Sequence, residues 1–160
     1  MTSFIHSALK LLLAILIPLS FGALASVITL DALQGWYQTL QKPSFTPPNW
    51  IFGPVWSALY IFMGIGLNHI WSLQKSAIKT KVTLVFWVQL IVNFFWSILF
   101  FAFKSPLMAL IDCAILCGLI VWMIVLLVKI RPIIGFLQIP YLLWSIFATA
   151  ISFEIWRLNF

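Results

Sequence analysis

The sequence predicts an all-α integral membrane protein, a bundle of five transmembrane helices with a long Trp- and Pro-rich loop between helices 1 and 2. Three observations carry that prediction. First, 64% of the 160 residues are hydrophobic and only 8% are charged, with a mean hydropathy of +1.13. A soluble domain carries about 25% charged residues, so this chain has too few to cover a water-facing surface, and the bilayer must be its solvent. Second, a span takes about 20 residues, which limits the chain to five or six spans in one domain over 1–160. Third, charge and proline interrupt the apolar sequence at four places.

The first span is read as 7–29, closed by Thr29-Leu30-Asp31. Lys10, the apolar run from Leu11 and the triplet Ala23-Leu24-Ala25 imitate a signal peptide. Gly22 and Ser26, four apart, read more simply as a small-residue face for a neighbouring helix. A loop of about 20 residues follows, unusually long and therefore a candidate for function. The second span is read as 50–73, the third as 82–103 after the lysines between Lys75 and Lys81, the fourth as 106–128 after Lys104-Ser105-Pro106, and the fifth as 134–157 after Lys129-Ile130-Arg131-Pro132. Pro140 is expected to kink the fifth helix.

Lys10, Lys75, Lys79, Lys81, Lys129 and Arg131 fall on the N-terminal side of the membrane, against Lys42, Lys104 and Arg157 on the other. That bias predicts a cytoplasmic N-terminus with the loop facing outward, as in a bacterial inner membrane. The net charge of +6 is then topology and contact with anionic lipid, and basic residues scattered over loop ends are no nucleic-acid footprint. Cys113 and Cys117, one turn apart without a Cys or His cluster, read as small buried hydrophobes and not as a metal site.

Polar groups inside the spans point inward, because hydrocarbon offers them no partners. Gln89, Asn93, Trp96 and Phe100 recur at helical steps along one face of the third span. Two roles fit the amides, bonding to neighbouring helices and contact with a ligand. Asp112, a carboxylate well inside the fourth span, lies at the depth of Trp96. It is either a structural acceptor or a proton or substrate group. Trp144 and Ala148, a turn apart on the fifth span, make a large-plus-small slot, and Trp56, Trp96 and Trp144 together make an aromatic shaft. Trp36 and Trp50 in the rigid loop suit a lid over a planar ligand. Tyr60 and Tyr141 complete the candidate set. Trp71, Trp87 and Trp156 fit the interfacial belt.

The string Trp36-Tyr37, Lys42-Pro43-Ser44-Phe45, Pro47-Pro48, Trp50, Phe52-Gly53-Pro54-Val55-Trp56, Leu59-Tyr60 and Met63-Gly64 resembles the TspO/MBR family of tryptophan-rich sensory and translocator proteins. The resemblance extends through Gln89, Asn93 and Trp96-Ser97, Ala109-Leu110-Ile111-Asp112, and Ile139-Pro140-Tyr141 through Ala148-Thr149. It implies a five-helix bundle, dimeric in many bacterial members, that binds tetrapyrroles such as protoporphyrin IX and, in animals, cholesterol and isoquinolines. By matching positions, the resemblance implies Trp56, Asn93, Trp144 and Ala148 as the inherited ligand-contact candidates. The expected partners are membrane lipids, a porphyrin or haem-like tetrapyrrole and a second copy of the chain, with no required cofactor.

Two positions depart from the family pattern. Phe153 stands where the animal sterol motif has Tyr before the basic Arg157, so the resemblance carries sterol binding only weakly. Met108 stands where many members have Trp. Three functional classes follow: a receptor or carrier for a flat apolar ring, an enzyme degrading porphyrin with light and oxygen, and a structural protein. The sequence has no nucleophile–base pair, metal cluster or phosphate loop, which disfavours hydrolytic or transfer chemistry.

Overall fold

Helices begin at hydroxyl or proline starts and run until a residue can no longer continue them. The computed structural model describes residues 2–160, and across them regular structure is entirely helical. Helix α1 spans Thr2–Gln34 and α2 is a single turn, Trp36–Thr39. Helix α3 spans Asn49–Ser72, and α4 spans Ala77–Ser97 and continues as a π-helical segment, Ile98–Ala102. Helices α5, α6 and α7 span Pro106–Ile130, Pro132–Phe136 and Ile139–Asn159. Five helical stretches are long and apolar enough to cross a membrane.

Several boundaries differ from the sequence reading for physical reasons. α1 does not stop at Asp31; it runs to Gln34, and the chain turns only at Gly35. α4 begins before its lysines, because the Ser76 hydroxyl caps it by accepting from the Lys79 N–H at 3.3 Å. The Lys79 ammonium then reaches back to the C-terminal carbonyl of Leu73 at 2.6 Å, complementing the negative end of α3. Pro140 does not kink a continuous fifth helix. The break precedes it, between α6 and α7, and Pro140 sits in the first turn of α7, where its missing N–H costs nothing. Buried Gln138 fills that break and donates to the Phe62 carbonyl at 3.0 Å.

α1 lies along α3 and also touches α4 and its π segment, α4 lies on α5, and α5 on α7. α3 and α7 meet through rings, Phe52 on Trp144 at 5.8 Å and Trp56 on Tyr141 at 6.3 Å. The order around the bundle is therefore α1, α3, α7, α5, α4. Close approach of α1 and α3 depends on glycine: a Cβ on Gly64 would run into the Ala14 and Ile15 backbone, and one on Gly22 into the Tyr60 ring.

Candidate functional site

On α4 the amides four residues apart, Gln89 and Asn93, are both buried, and each meets a tyrosine from another helix. The Tyr141 hydroxyl donates to Gln89 Oε1 at 2.8 Å, and the Tyr60 hydroxyl donates to Asn93 Oδ1 at 2.9 Å. One turn nearer the loop, Trp96 stacks on Phe100 at 5.3 Å. There the helix loosens into its π segment, in which the Phe103 N–H reaches five residues back to the Ile98 carbonyl at 2.9 Å. The wider turn places two consecutive rings, Phe100 and Phe101, in the interior, and Tyr37 from α2 packs on both, at 6.1 and 5.8 Å. π segments recur at functional sites for this reason, since they re-aim side chains that an α-helix would point apart.

These groups surround a cavity of about 480 Å³ bounded by α1, α3, α4 and α7, with Tyr37 at its loop end. Its size falls in the range of about 300–1,000 Å³ usual for small-molecule sites. Of the sequence candidates, the wall brings together Trp56, Tyr60, Asn93, Trp96, Phe100 and Ala148. A small annex beneath it is shared by Trp56, Asn93, Trp96 and Ala148 and reaches Cys113 and Ser145. Polar atoms on this wall have no protein partner: the Ser152 hydroxyl, fully buried, and the Trp96 indole N–H.

The remaining candidates stand elsewhere. Trp50 is 74% exposed; Phe52, which does line the cavity, lies about 160° around α3 from it at 100° per residue. Trp36 meets the edge of Phe100 at 5.7 Å from behind and is no part of the wall. The lid is therefore made by Tyr37 and not by the loop's indoles. Gln89 and Tyr141 are fully buried in each other's company, one layer beyond the wall. Trp144 packs edge-on against Phe52, which itself lines the cavity, so the shaft and the Trp144–Ala148 slot are separated: Ala148 faces the cavity and Trp144 backs it. Asp112 is half-buried on α5 with Oδ2 lacking a protein partner, and it borders neither the cavity nor the annex. Met108 is exposed and forms no pocket wall.

Sequence reasoning missed Phe101, Tyr37 and Ser152. A strict period of 3.6 sends Phe101 away from Phe100, and only the π segment brings it back. Ser152 lies one turn beyond Ala148, a spacing that could have found it. The α1 side of the wall was also missed as such, since Ala23, Ser26 and Thr29 carry no distinctive chemistry.

The loop is fastened over this site. Gln41 donates its backbone N–H to Asn159 Oδ1 at 2.8 Å and accepts from Asn159 Nδ2 at 2.9 Å, tying the loop to the last turn of α7. The Lys42 ammonium lies 4.6 Å from the centre of the Tyr37 ring, and burial holds the Tyr37 phenol above its ordinary value of 10.0.

Comparison with known proteins places this architecture. The TspO/MBR family model matches residues 14–157. The chain is 40% identical to the tryptophan-rich protein TspO of Archaeoglobus fulgidus over 151 residues, covering 94% of this chain and 97% of the relative. It is 37% identical to the protein of that name from Chlorobaculum tepidum, covering 94% and 96%. To the human translocator protein it is 36% identical over 126 residues, 78% of this chain and 75% of that one. With five helices long and apolar enough to cross a membrane and a match over most of its length, the chain belongs to the TspO/MBR family of integral membrane proteins.

Proposed function

We propose that the protein is a membrane receptor or carrier that takes a flat apolar ring, a tetrapyrrole such as protoporphyrin IX, into the cavity between α1, α3, α4 and α7. The observation that carries this reading is the wall itself. Indoles and phenyl rings from three elements face one space of about 480 Å³, and the wall's polar atoms without a protein partner, the Ser152 hydroxyl and the Trp96 N–H, stand with Asn93 on α4 and α7. Aromatic faces supply contact area for a planar ring, and a few convergent polar groups fix its orientation. Titrating detergent-purified protein with protoporphyrin IX and following tryptophan emission tests it. Saturable quenching that weakens in a folded Trp56→Phe variant is expected, and linear, non-saturable quenching rejects the reading.

Trp56 and Trp96 on the wall also favour a second reading, light- and oxygen-dependent breakdown of the bound porphyrin. Loss of the porphyrin spectrum under light, dependent on Trp96, separates enzyme from binder.

The lysine and arginine bias supports an N-terminus in the cytoplasm of a bacterial inner membrane, with the loop outside. With Cys113 and Cys117 replaced by Ala, a cysteine at exposed Gln38 reacts with an impermeant thiol reagent from outside, and one at Ser76 does not. Reversed labelling inverts the topology. A homodimer, as the resemblance implies, is checked by the mass of the detergent-solubilised protein.

A further inference from the structure

α1 and α3 touch along only part of their length. On the side away from the loop, Gly64 lies against the Ala14 and Ile15 backbone, and nearer the loop the Tyr60 ring lies over Gly22. Beyond that point the cavity lies between the two helices. Its rim is Ala23 and Ser26 on α1 and Gly53 and Ser57 on α3, all four exposed, so the cavity opens sideways. At 1.5 Å per residue, Ser57 is about 12 Å from the start of α3 and Ala23 about 16 Å from the end of α1, depths that belong to hydrocarbon.

The rim hydroxyls are already bonded to their own helices: Ser26 to the Ala23 carbonyl at 2.7 Å and Ser57 to the Gly53 carbonyl at 2.9 Å. Thr29 just inside does the same with the Ser26 carbonyl at 2.9 Å. Water at this opening would find few partners, whereas a hydrocarbon chain needs none. The loop end, by contrast, is shut by Tyr37 on Phe100 and Phe101 and by the Gln41–Asn159 pair of bonds.

We propose that an acyl chain of a bilayer lipid enters through the side opening between α1 and α3 and fills the cavity in the absence of another ligand. The cavity then exchanges its contents with the membrane and not with water at the loop. The chain is a displaceable occupant, because hydrocarbon leaves the Ser152 hydroxyl and the Trp96 N–H without a partner, while a ring with a polar edge satisfies them. Occupancy by lipid stands independently of the tetrapyrrole reading; displacement rests on it.

The test uses the full chain reconstituted in phosphatidylcholine brominated at mid-chain, with unbrominated lipid as reference. The emission of the inner indoles is the difference between the native protein and the Trp56→Phe/Trp96→Phe variant, and Trp122, half exposed on α5, reports ordinary lipid contact. The inner emission is expected to fall at least twofold in brominated lipid and to recover when Ser57→Leu or Ala23→Leu fills the opening, with helix content by circular dichroism showing that each variant is folded. It is expected to be unchanged when Gln41→Cys/Asn159→Cys, in a Cys113→Ala/Cys117→Ala background, locks the loop by a disulfide. Inner indoles that stay bright while Trp122 is quenched overturn the proposal. So does quenching that survives both fillings, or quenching that the locked loop abolishes.

Discussion

Gln89 and Asn93 stand one turn apart on the same helix and make the same bond, an amide oxygen accepting from a tyrosine hydroxyl, at 2.8 and 2.9 Å. Their surroundings differ. The Gln89–Tyr141 pair is sealed, both residues without any exposure, while the Asn93–Tyr60 pair forms part of the cavity wall. A hydrogen bond with no access to solvent or ligand can only hold helices together. An identical one on a cavity wall holds helices and also presents polar atoms to whatever enters. The difference shows that residue type and spacing locate a polar layer in a bundle, and that exposure to a shared space decides which member of it can bind.

The largest effect is expected from breaking the sealed pair. Tyr141→Phe leaves Gln89 Oε1 unbonded in a place where Gln89 Nε2 already lacks a partner, so both ends of the amide are stranded. Stability should fall by about 1–3 kcal/mol, read as a lower SDS concentration at half-unfolding. Affinity for protoporphyrin IX in the still-folded fraction should stay within about threefold. A variant of native stability but weakened binding would move this pair into the site.

Next in size is Asn93→Leu, which keeps the volume and removes the amide. The Tyr60 hydroxyl loses its acceptor but faces the cavity and is not sealed in, so stability should change by less than about 1 kcal/mol. Ring affinity should drop about tenfold, equivalent to about 1.4 kcal/mol. Equal affinities for native protein and variant would remove Asn93 from the site and erase the contrast with Gln89. Tyr60→Phe sharpens the same contrast. It leaves the ring over Gly22 and frees Asn93 Oδ1 toward the cavity, so an effect of about threefold on affinity, about 0.6 kcal/mol, is expected by the same titration.

Much of this arrangement is legible in the sequence. The five spans follow from composition and length, and the inward face of α4 follows from the cost of bare amides in hydrocarbon. What separates Gln89 from Asn93 is not legible, because it depends on where α1 and α7 leave space, and Gly22, Ser26 and Ala148 announce only that something comes close. The indoles mislead for a related reason. Tryptophan suits a lid, a wall and a membrane interface alike, and only the rotation of α3 decides that Trp50 faces outward while Phe52 and Trp56 face in. The break before α7 hides behind Pro140, which is equally at home in a kink and in a first turn. The π segment has no residue signature in Ile98–Ala102, since it is set by packing and not by propensity.

The smallest expected effect concerns the third of the chain's three tyrosines, Tyr37, which closes the cavity by packing its ring on Phe100 and Phe101, with the Lys42 ammonium over it. Its phenol is raised above 10.0 by burial, so the folded loop favours the neutral form more than the unfolded chain does. The sign follows directly. The folded state binds the proton more tightly, so the stabilising contribution is complete below pH 10 and is lost as pH rises through the raised value. Above pH 10 the loop should therefore loosen while the spans, held by helix packing, persist. Limited proteolysis between Leu40 and Asn49, followed from pH 8 to pH 11, should show cleavage accelerating only at the alkaline end. Tyr37→Phe isolates the part played by this phenol. The phenylalanine keeps the contacts with Phe100 and Phe101 but cannot ionise, so its loop should stay protected where the native one opens. If both proteins open at the same pH, ionisation of Tyr37 is not what releases the loop, and the hold at that end of the cavity belongs to the Gln41–Asn159 bonds instead.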